Sequence, residues 1–472
     1  MSFCNCAKKY WICIEVCTSY DNGRKMMKER QIPDQITCTV PQAAVWRNSE
    51  NFFLGRVLKL FSYRKKILLQ LIRNGKKYKA HIEEGVADHY AELAAALQIG
   101  DIICGMGMAE VNRYGEAETA IQEAYIIKAC QLRPVETGLQ TEGMYSLNKR
   151  KEYYHTYLAT DQICAMRVFI QDQILTTLRQ ILREKGYVEC PTPILQNYFY
   201  GGGARPFITH RVDSGNDVYL RLTSEIALKQ YIAGSFEKVY EIGHSFRNGN
   251  TSAKYLTPFM AAEIYTAYGG EEENILLMQE IFMRMVTDTK KIMEEFQFSE
   301  PEYISDTIPV ISFSEFFQCM TGMVYHRESP EVMELIQGTA DKSLSVKEVY
   351  KFFKQKLIPR QSAPIIVTDL PGGMSPLIQW KDEEFLYRSY LIVNGATLME
   401  AAIGKSDVKE LEKELNRQAE EEDGRKIKRN YEAFLHANAM GIPETASLFI
   451  SLDRIFPALC GIEDVGVYHM KM

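Results

Sequence analysis

Four cysteines near the start of the sequence are the first residues whose type and spacing suit a chemical role. Cys4, Cys6, Cys13 and Cys17 lie within fourteen residues, and four thiolates can complete a tetrahedral zinc site. Their spacing is not the paired CxxC pattern that is typical of such sites. The spacing therefore favours the alternative, a hydrophobic leader that packs on the body of the protein or is poorly ordered.

The composition is that of an ordinary globular protein with a large core. Of the 472 residues, 46% are hydrophobic and 25% are charged, and this length predicts two or more domains.

No long uncharged apolar run occurs, and Lys8, Lys9 and Glu15 interrupt the apolar start of the chain, so we expect no membrane segment and no signal peptide. Eleven scattered cysteines suit reduced thiols. We therefore expect a cytoplasmic protein. With a formal net charge of −6, any nucleic-acid binding requires a local basic patch.

The elements that would position a site begin after a leader of residues 1–50. Residues 51–133 have the pattern of short strands separated by turns, with a helix from Val86 to Leu97. The strands are expected at 52–57, 66–72, 77–82 and 99–103 and in a hairpin around Gly115. Five strands with one helix are typical of an OB-fold β-barrel, although periodicity alone also permits another small barrel or a sandwich.

A second domain is expected after a linker at residues 134–160. From Asp161, apolar residues recur at helical spacing as far as Gly186, which predicts a long amphipathic helix that ends at this glycine. Beyond it, strand-like and helical stretches alternate to the end of the chain. This pattern predicts an α+β domain of catalytic size at residues 161–472.

One series of short motifs in this second domain is specific enough to compare with known families. In order along the chain, its segments are Gly202-Gly203-Ala204-Arg205-Pro206-Phe207-Ile208-Thr209-His210, Tyr219-Leu220-Arg221, Val239-Tyr240-Glu241-Ile242-Gly243 and Phe246-Arg247-Asn248. The series resembles the class II lysyl-tRNA synthetases, and the resemblance extends from about residue 50 to the end. It implies an antiparallel sheet flanked by helices, preceded by an OB-fold similar to an anticodon-binding domain.

Each of the three class II motifs can be located. Motif 1 is the long helix that runs into residues 186–193, and the resemblance implies that Pro193 lies at the interface of a homodimer. Motif 2 begins at Phe246 and continues to Tyr265, and motif 3 covers residues 441–454.

The resemblance implies that the site binds ATP and activates an amino acid. The carboxylate of the amino acid attacks the α-phosphorus and pyrophosphate leaves, so cations must neutralise the charge around the phosphates. By resemblance, Arg247 holds the α-phosphate and the substrate carboxylate, and Arg454 holds the γ-phosphate. Phe259 aligns with the aromatic residue that stacks on adenine, but simple core packing explains this residue equally well.

Three further residues match amino-acid-binding positions of the family. Glu225 corresponds to the acidic residue near the substrate ammonium, and Glu263 and Tyr265 match pocket residues at the end of motif 2. A carboxylate beside an ammonium selects amino acids over plain acids. Structural ion pairs are the alternative for the two glutamates.

The nucleotide-binding positions depart from the family pattern. Gly249 replaces a glutamate, and Tyr255 and Leu256 replace a histidine and an asparagine. Tyr390 and Thr397 stand at the two acidic positions that coordinate Mg²⁺, and neither side chain can replace a carboxylate for a hard cation. We therefore expect no protein ligand for the metal, so charge neutralisation falls to the two arginines and to water-bound Mg²⁺.

The positions that recognise lysine also differ. An asparagine and a glutamate of the family are replaced by Glu400 and Gly404, so lysine should bind poorly unless Glu400 acts from a shifted position. Three motif 3 glycines are replaced by Ser447, Phe449 and Ser451, which predicts a smaller or reshaped amino-acid pocket. The substrate is therefore either lysine, bound through a shifted Glu400, or an amino acid with a different side chain.

Three hypotheses about function follow. The first is an ATP-dependent ligase that forms an aminoacyl-adenylate and transfers it to tRNA or another acceptor. The second is a non-catalytic paralogue that acts as a binding or regulatory module, and the third is an enzyme that uses a preformed acyl donor. Lys66 or Ile67 stands where the family stacks an aromatic residue on anticodon bases, and this argues against anticodon reading.

Overall fold

The chain divides into two compact units, residues 1–146 and 147–472. The computed structural model describes residues 32–38, 49, 51–132, 152–198, 204–249, 256–340, 342–372, 377–421 and 431–462. Cys4, Cys6, Cys13 and Cys17, and with them the zinc hypothesis, lie outside the described residues. Among the described helices, none has the length and apolar character needed to span a membrane.

The first unit is a closed five-stranded barrel with the strand order β1-β2-β3-β5-β4. After a short 3-10 turn at Asp34–Ile36, its elements are β1 (Phe52–Tyr63), β2 (Lys66–Arg73), β3 (Lys76–Glu83), α1 (Tyr90–Ala96), β4 (Ile102–Val111) and β5 (Ala117–Lys128). Alternation along β2 places Ile67, Leu69 and Leu71 in the barrel core. A closed barrel with one helix between β3 and β4 confirms the predicted OB-like fold.

The helix of the barrel starts later than the sequence pattern predicts. It begins at Tyr90 rather than at Val86. Gly85 and His89 have φ angles of 83° and 57°, and neither conformation fits a right-handed helix. Turns therefore occupy the segment that the apolar pattern assigned to the first helical turn.

The second unit contains, near its start, the long helix that the sequence predicts. A short helix, α2 (Tyr154–Thr160), lies within the range expected to be a linker, and α3 (Gln162–Glu184) follows it. The Asp161 carboxylate accepts a hydrogen bond from the Cys164 backbone N–H at 3.0 Å, which caps the first turn. Gly186 adopts a φ of 82° just beyond the helix, a conformation that glycine reaches without strain.

An eight-stranded, mainly antiparallel sheet forms the centre of the second unit. Its order is β12-β13-β16-β17-β18-β11-β10-β6. These strands are β6 (Val188–Glu189), β10 (Lys238–Ser245), β11 (Phe259–Ala267), β12 (Val310–Ser312), β13 (Ile365–Thr368), β16 (Arg388–Val393), β17 (Ala396–Gly404) and β18 (Thr445–Ser451). Buried residues of α3 and of helix α5 (Glu271–Glu295) pack with those of the sheet in one hydrophobic core. This arrangement confirms the predicted α+β architecture.

The other elements surround this sheet. They are β7 (Leu195–Gln196), β8 (Ile208–His210), β9 (Asp217–Leu220), α4 (Glu225–Ala233), α6 (Phe313–Thr321), α7 (Pro330–Gln337), α8 (Val346–Phe352), β14 (Leu370–Pro371), β15 (Phe385–Leu386), α9 (Val408–Glu421), α10 (Glu432–Ala439) and α11 (Leu452–Leu459). A π-helical turn, Phe353–Leu357, continues directly from α8. α9 lies in a stretch that is densely charged with residues of both signs.

Candidate active site

The central strands place three site residues in one row across the sheet. Glu263 on β11 lies opposite Phe449 on β18, and Phe449 lies opposite Glu400 on β17. Directly opposed residues of an antiparallel sheet point to the same face. The phenyl ring of Phe449 therefore stands between the two carboxylates, at a position where the resemblance leads one to expect glycine.

A cavity of about 630 Å³ lies against this part of the sheet. It brings together four of the residues predicted from the sequence, namely Arg247, Phe259, Glu400 and Arg454. The positions that depart from the family pattern also line it, including Gly249, Leu256, Tyr390, Thr397 and Phe449. Glu225, Glu263 and Tyr265 are not among its lining residues, so of the four predicted amino-acid-binding residues only Glu400 lines the cavity.

Phe259 faces the cavity and is not a simple core residue. The guanidinium carbon of Arg247 lies 5.0 Å from the centre of its ring, a cation–π distance. Phe449 meets the same ring edge-on, with 6.5 Å between the ring centres. Two predicted nucleotide-binding side chains are thus in direct contact, and Phe449 packs beside them.

Hydrogen bonds at the start of α11 fix this helix to the sheet. Arg454 Nη1 donates to the Thr397 carbonyl oxygen on β17 at 2.9 Å. The Asp453 carboxylate accepts from the Met260 N–H on β11 at 2.7 Å, and burial raises the pKa of this carboxyl group. The helix that carries the predicted γ-phosphate arginine is therefore joined to two strands of the sheet, and the arginine itself to one of them.

Glu225, the predicted ammonium-binding acid, is paired with a lysine of the same helix. Lys229 Nζ lies 2.9 Å from Glu225 Oε1, and the lysine side chain is 5% exposed. The same ammonium is 3.4 Å from the point where a Cβ would lie on Gly404. A cation of the chain itself thus neutralises Glu225 beside one of the two altered lysine-recognition positions.

Glu263 is buried, and neighbouring donors surround it. Its carboxylate accepts hydrogen bonds from Thr223 Oγ1 at 2.7 Å, from the Ser224 N–H at 3.0 Å and from the Tyr265 hydroxyl at 3.3 Å. Burial raises the pKa of Glu263, an effect that the hydrogen bonds from Thr223 and Ser224 oppose. Burial also raises the pKa of Tyr265 well above its ordinary value. This arrangement resembles a structural network more than an open binding site.

Glu400 is paired as well. Arg388 Nη2 lies 2.6 Å from Glu400 Oε1, and the arginine guanidinium carbon lies 5.0 Å and 5.3 Å from the ring centres of Tyr390 and Tyr350. This ion pair argues against the expectation that Glu400 could act on a lysine ammonium from a shifted position. Its carboxylate already has a buried cationic partner.

The two expected magnesium positions do not fit the metal. Tyr390 is 1% exposed, and its hydroxyl lies 2.5 Å from the Tyr350 hydroxyl. Thr397 offers no carboxylate, and its carbonyl oxygen already accepts from Arg454. Mg²⁺ is held in proteins mainly by carboxylates, phosphates and water. We therefore assign no role to a metal at these residues.

Comparison with known proteins places these features in a family. The family described as tRNA synthetases class II (D, K and N) matches residues 147–468, which include the whole cavity. The chain belongs to this family. Proteins named lysine–tRNA ligase are among its relatives. The one from Pelotomaculum thermopropionicum is 29% identical, covering 84% of this chain and 83% of the relative. Those from Mycoplasma genitalium and Thermosipho africanus are 29% and 27% identical, covering 77% and 85% of this chain and 76% and 81% of the relatives.

Two features of this class II chain stay as predictions. Pro193 is exposed, and the homodimer that the resemblance implies through it is not tested by a single chain. Tyr255 lies outside the described residues. The loss of the motif 2 contacts is therefore visible in the structure only at Gly249 and Leu256, which line the cavity.

One group in the described part of the chain has metal-binding residue types. His81, Glu110 and Glu118 in the barrel have ligand atoms within 4.8 Å of one another. His81 Nδ1 lies 2.9 Å from Glu118 Oε1. The distance is short, but His81 Nδ1 makes no hydrogen bond of acceptable geometry among the described residues.

The barrel shows exposed aromatic residues that the sequence comparison missed. Ile67 is 1% exposed and Lys66 pairs with Glu83 at 2.8 Å, so neither offers a stacking surface. Tyr63 and Tyr114, by contrast, are 61% and 71% exposed. An arginine lies over each ring, Arg64 at 5.2 Å and Arg113 at 4.7 Å. In the sequence, a tyrosine stands next to an arginine at both the β1–β2 turn and the β4–β5 turn, and this pattern could have predicted the two exposed rings.

Proposed function

We propose that the chain is an ATP-dependent ligase that forms an aminoacyl-adenylate and transfers the aminoacyl group to an RNA acceptor. One observation carries the proposal: Arg247, Phe259 and Arg454 line a single cavity in a chain that belongs to the class II synthetases. The cavity thus offers an aromatic face for a base and two guanidinium groups for phosphates. That combination suits a nucleoside triphosphate.

The chemistry requires positioning and charge neutralisation by these side chains. The substrate carboxylate oxygen forms a bond to the α-phosphorus of ATP while the bond to the pyrophosphate oxygen breaks. Arg247 would hold the α-phosphate and the carboxylate in line, and Arg454 would hold the leaving end of the triphosphate. Stacking of adenine on Phe259 would contribute on the order of 1 to 3 kcal/mol of binding energy.

The amino acid is proposed to have a side chain other than a cation. Glu400 stands at one lysine-recognition position and is paired with Arg388. Glu225 is paired with Lys229, whose ammonium lies beside the other position, Gly404. A substrate ammonium would have to displace one of these internal cations, and each displaced cation would be left buried without its partner. Phe449 also fills space between Glu263 and Glu400. An uncharged side chain, smaller than that of lysine, fits these features best.

ATP titration tests the proposal directly. We expect isothermal titration of the purified protein with ATP to give saturable heat, and Arg454→Ala to weaken binding by about tenfold or more, because an arginine–phosphate contact is lost. Arg284→Ala is the charge-matched control, since Arg284 is on α5 and pairs with Asp288 at 3.7 Å. No saturable heat at millimolar ATP would contradict the adenylation proposal.

The tyrosine–arginine pairs at two turns of the barrel support RNA as the acceptor. In OB-folds, the turns between strands 1 and 2 and between strands 4 and 5 contact oligonucleotides. Exposed aromatic rings stack on bases, and arginines contact phosphates. The pairs Tyr63–Arg64 and Arg113–Tyr114 provide both kinds of contact locally, which a chain with a net charge of −6 needs.

RNA binding can be measured with bulk tRNA. Replacing both Tyr63 and Tyr114 with alanine is expected to weaken binding in a fluorescence anisotropy titration by about thirtyfold or more, because stacking on each ring is worth roughly 1 to 3 kcal/mol. Tyr268→Ala is a matched control, since Tyr268 is 78% exposed and lies in the second unit. Equal affinities of the wild type and the double variant for tRNA would contradict a role of the barrel turns in RNA binding.

A non-catalytic binding or regulatory module is the second candidate. Tyr390 and Thr397 favour it because they provide no metal ligand, and Phe449 favours it because it occupies pocket space. Under this hypothesis, ATP would give no saturable heat and no amino acid would stimulate pyrophosphate release. RNA binding by the barrel would be unaffected.

A further inference from the structure

The first of the two altered metal positions is part of an aromatic and cationic cluster. The hydroxyls of Tyr390 on β16 and Tyr350 on α8 lie 2.5 Å apart. Lys354 makes a cation–π contact with Tyr350, with its Nζ 5.5 Å from the centre of the ring. A position at which the family holds a metal ion with a carboxylate is thus linked here to an ammonium group of the chain itself.

Lys354 lies at the cavity because of the turn that carries it. It belongs to the π-helical turn Phe353–Leu357, in which Phe353 and Leu357 are both fully buried. These two anchors fix the segment, while Lys354 itself is exposed and lines the same cavity as Arg247 and Arg454. Within the described part of the chain, no carboxylate oxygen lies within 4 Å of its Nζ.

The charges that line the cavity favour an anion. Arg247, Lys354 and Arg454 contribute three cations, and Glu400 and Asp453 contribute two acidic groups. Glu400 is already paired with Arg388, and the Asp453 carboxylate is buried and accepts from the Met260 N–H. The cations can therefore act on a ligand in the cavity, and cations fixed in place before binding stabilise a polyphosphate without a metal.

We propose that Lys354 takes the place of the divalent metal, and that this protein binds the triphosphate of its nucleotide in a metal-free form. The proposal rests on the proposed function, because it concerns the same nucleotide cavity. It identifies the ligand as a nucleoside triphosphate whose phosphates contact three side-chain cations. It also explains why Tyr390 and Thr397 can occupy the metal positions without loss of the site.

Titration of the full chain with ATP, with and without Mg²⁺, tests this inference. In EDTA, we expect ATP to bind the wild type within about threefold of its affinity in excess Mg²⁺. Lys354→Ala should weaken ATP binding in EDTA by about tenfold or more, because a contact between charged groups is lost. The affinity for AMP should be unchanged, and Lys354→Arg should restore most of the affinity for ATP.

Lys356→Ala is the matched control, because Lys356 is an exposed lysine of the same turn that does not line the cavity. Binding of ATP only in the presence of Mg²⁺ would overturn the inference and leave the proposed function standing. So would metal-free binding that Lys354→Ala leaves unchanged. Failure of ATP to bind under either condition would overturn both proposals.

Discussion

Replacing Arg247 with alanine is expected to slow amino-acid activation by roughly 10²- to 10³-fold, the loss that typically follows removal of a fixed donor to a developing charge. Under the proposed function, the Arg247 guanidinium contacts both reactants, the α-phosphate and the substrate carboxylate. These contacts strengthen as negative charge builds up on the phosphate oxygens in the transition state. The loss should therefore fall mainly on kcat rather than on KM.

The same substitution should leave the fold intact. Arg247 is exposed, just beyond the end of β10, and its side chain lies over the ring of Phe259. Among the described residues, no carboxylate lies within 4 Å of its guanidinium nitrogens. We expect the free energy of unfolding to change by about 0.5 kcal/mol or less, as is usual for surface substitutions. A loss of activity would then report on catalysis and not on stability.

Exchange of pyrophosphate into ATP, with a mixture of the common amino acids as substrate, measures this activation step without knowledge of the acceptor. Arg247→Lys is the matched control: it keeps the positive charge but loses the two-pronged contact, so its rate should fall between those of wild type and alanine variant. Equal exchange by wild type and Arg247→Ala would contradict the assigned role. Exchange absent from the wild type would support the non-catalytic alternative.

The fold was accessible from the sequence because its elements are long and strongly periodic. The apolar positions between Asp161 and Gly186 predicted α3, and the structure buries Met166, Ile170 and Ile174 on one face. The barrel was accessible for a similar reason, since Tyr78, Ala80 and Ile82 alternate with polar residues along β3, directly after the turn at Asn74 and Gly75. Both predictions depended on local pattern alone.

The charge pairs of the site were harder to predict, and for different reasons. Glu225 and Lys229 are four residues apart on one helix, so their pairing follows from helical geometry and was readable in the sequence. Arg388 and Glu400 lie on neighbouring strands, whose register shifts between Leu391 and Ile392. An irregularity of this kind leaves no periodic signal. Lys354 was missed because a π-helical turn, rather than a motif, brings it to the cavity.

The Arg388–Glu400 pair also predicts the largest change in stability. Replacing Glu400 with alanine should lower the free energy of unfolding of the second unit by about 3 kcal/mol, because the substitution leaves the Arg388 charge buried without a partner. The Arg388 side chain is only 10% exposed, and that of Glu400 is 29% exposed. Arg388 Nε is, in addition, a buried nitrogen without a hydrogen-bond partner, so after loss of the carboxylate the charge would depend mainly on its contacts with the Tyr350 and Tyr390 rings.

Thermal and denaturant unfolding of the wild type, Glu400→Ala, Glu400→Gln and a double variant distinguish the effect of the buried charge on stability from the effect of side-chain shape. Glu400→Gln keeps an oxygen acceptor and should lose less stability than Glu400→Ala. The double variant Arg388→Met, Glu400→Met removes both charges and should recover most of the loss, because well-packed apolar residues often replace a buried ion pair at little cost. A double variant as unstable as Glu400→Ala would show that the buried charge is not the cause. Recovery would instead show that Glu400 is committed to Arg388, and the proposal that a lysine ammonium is excluded from this site rests on that pairing.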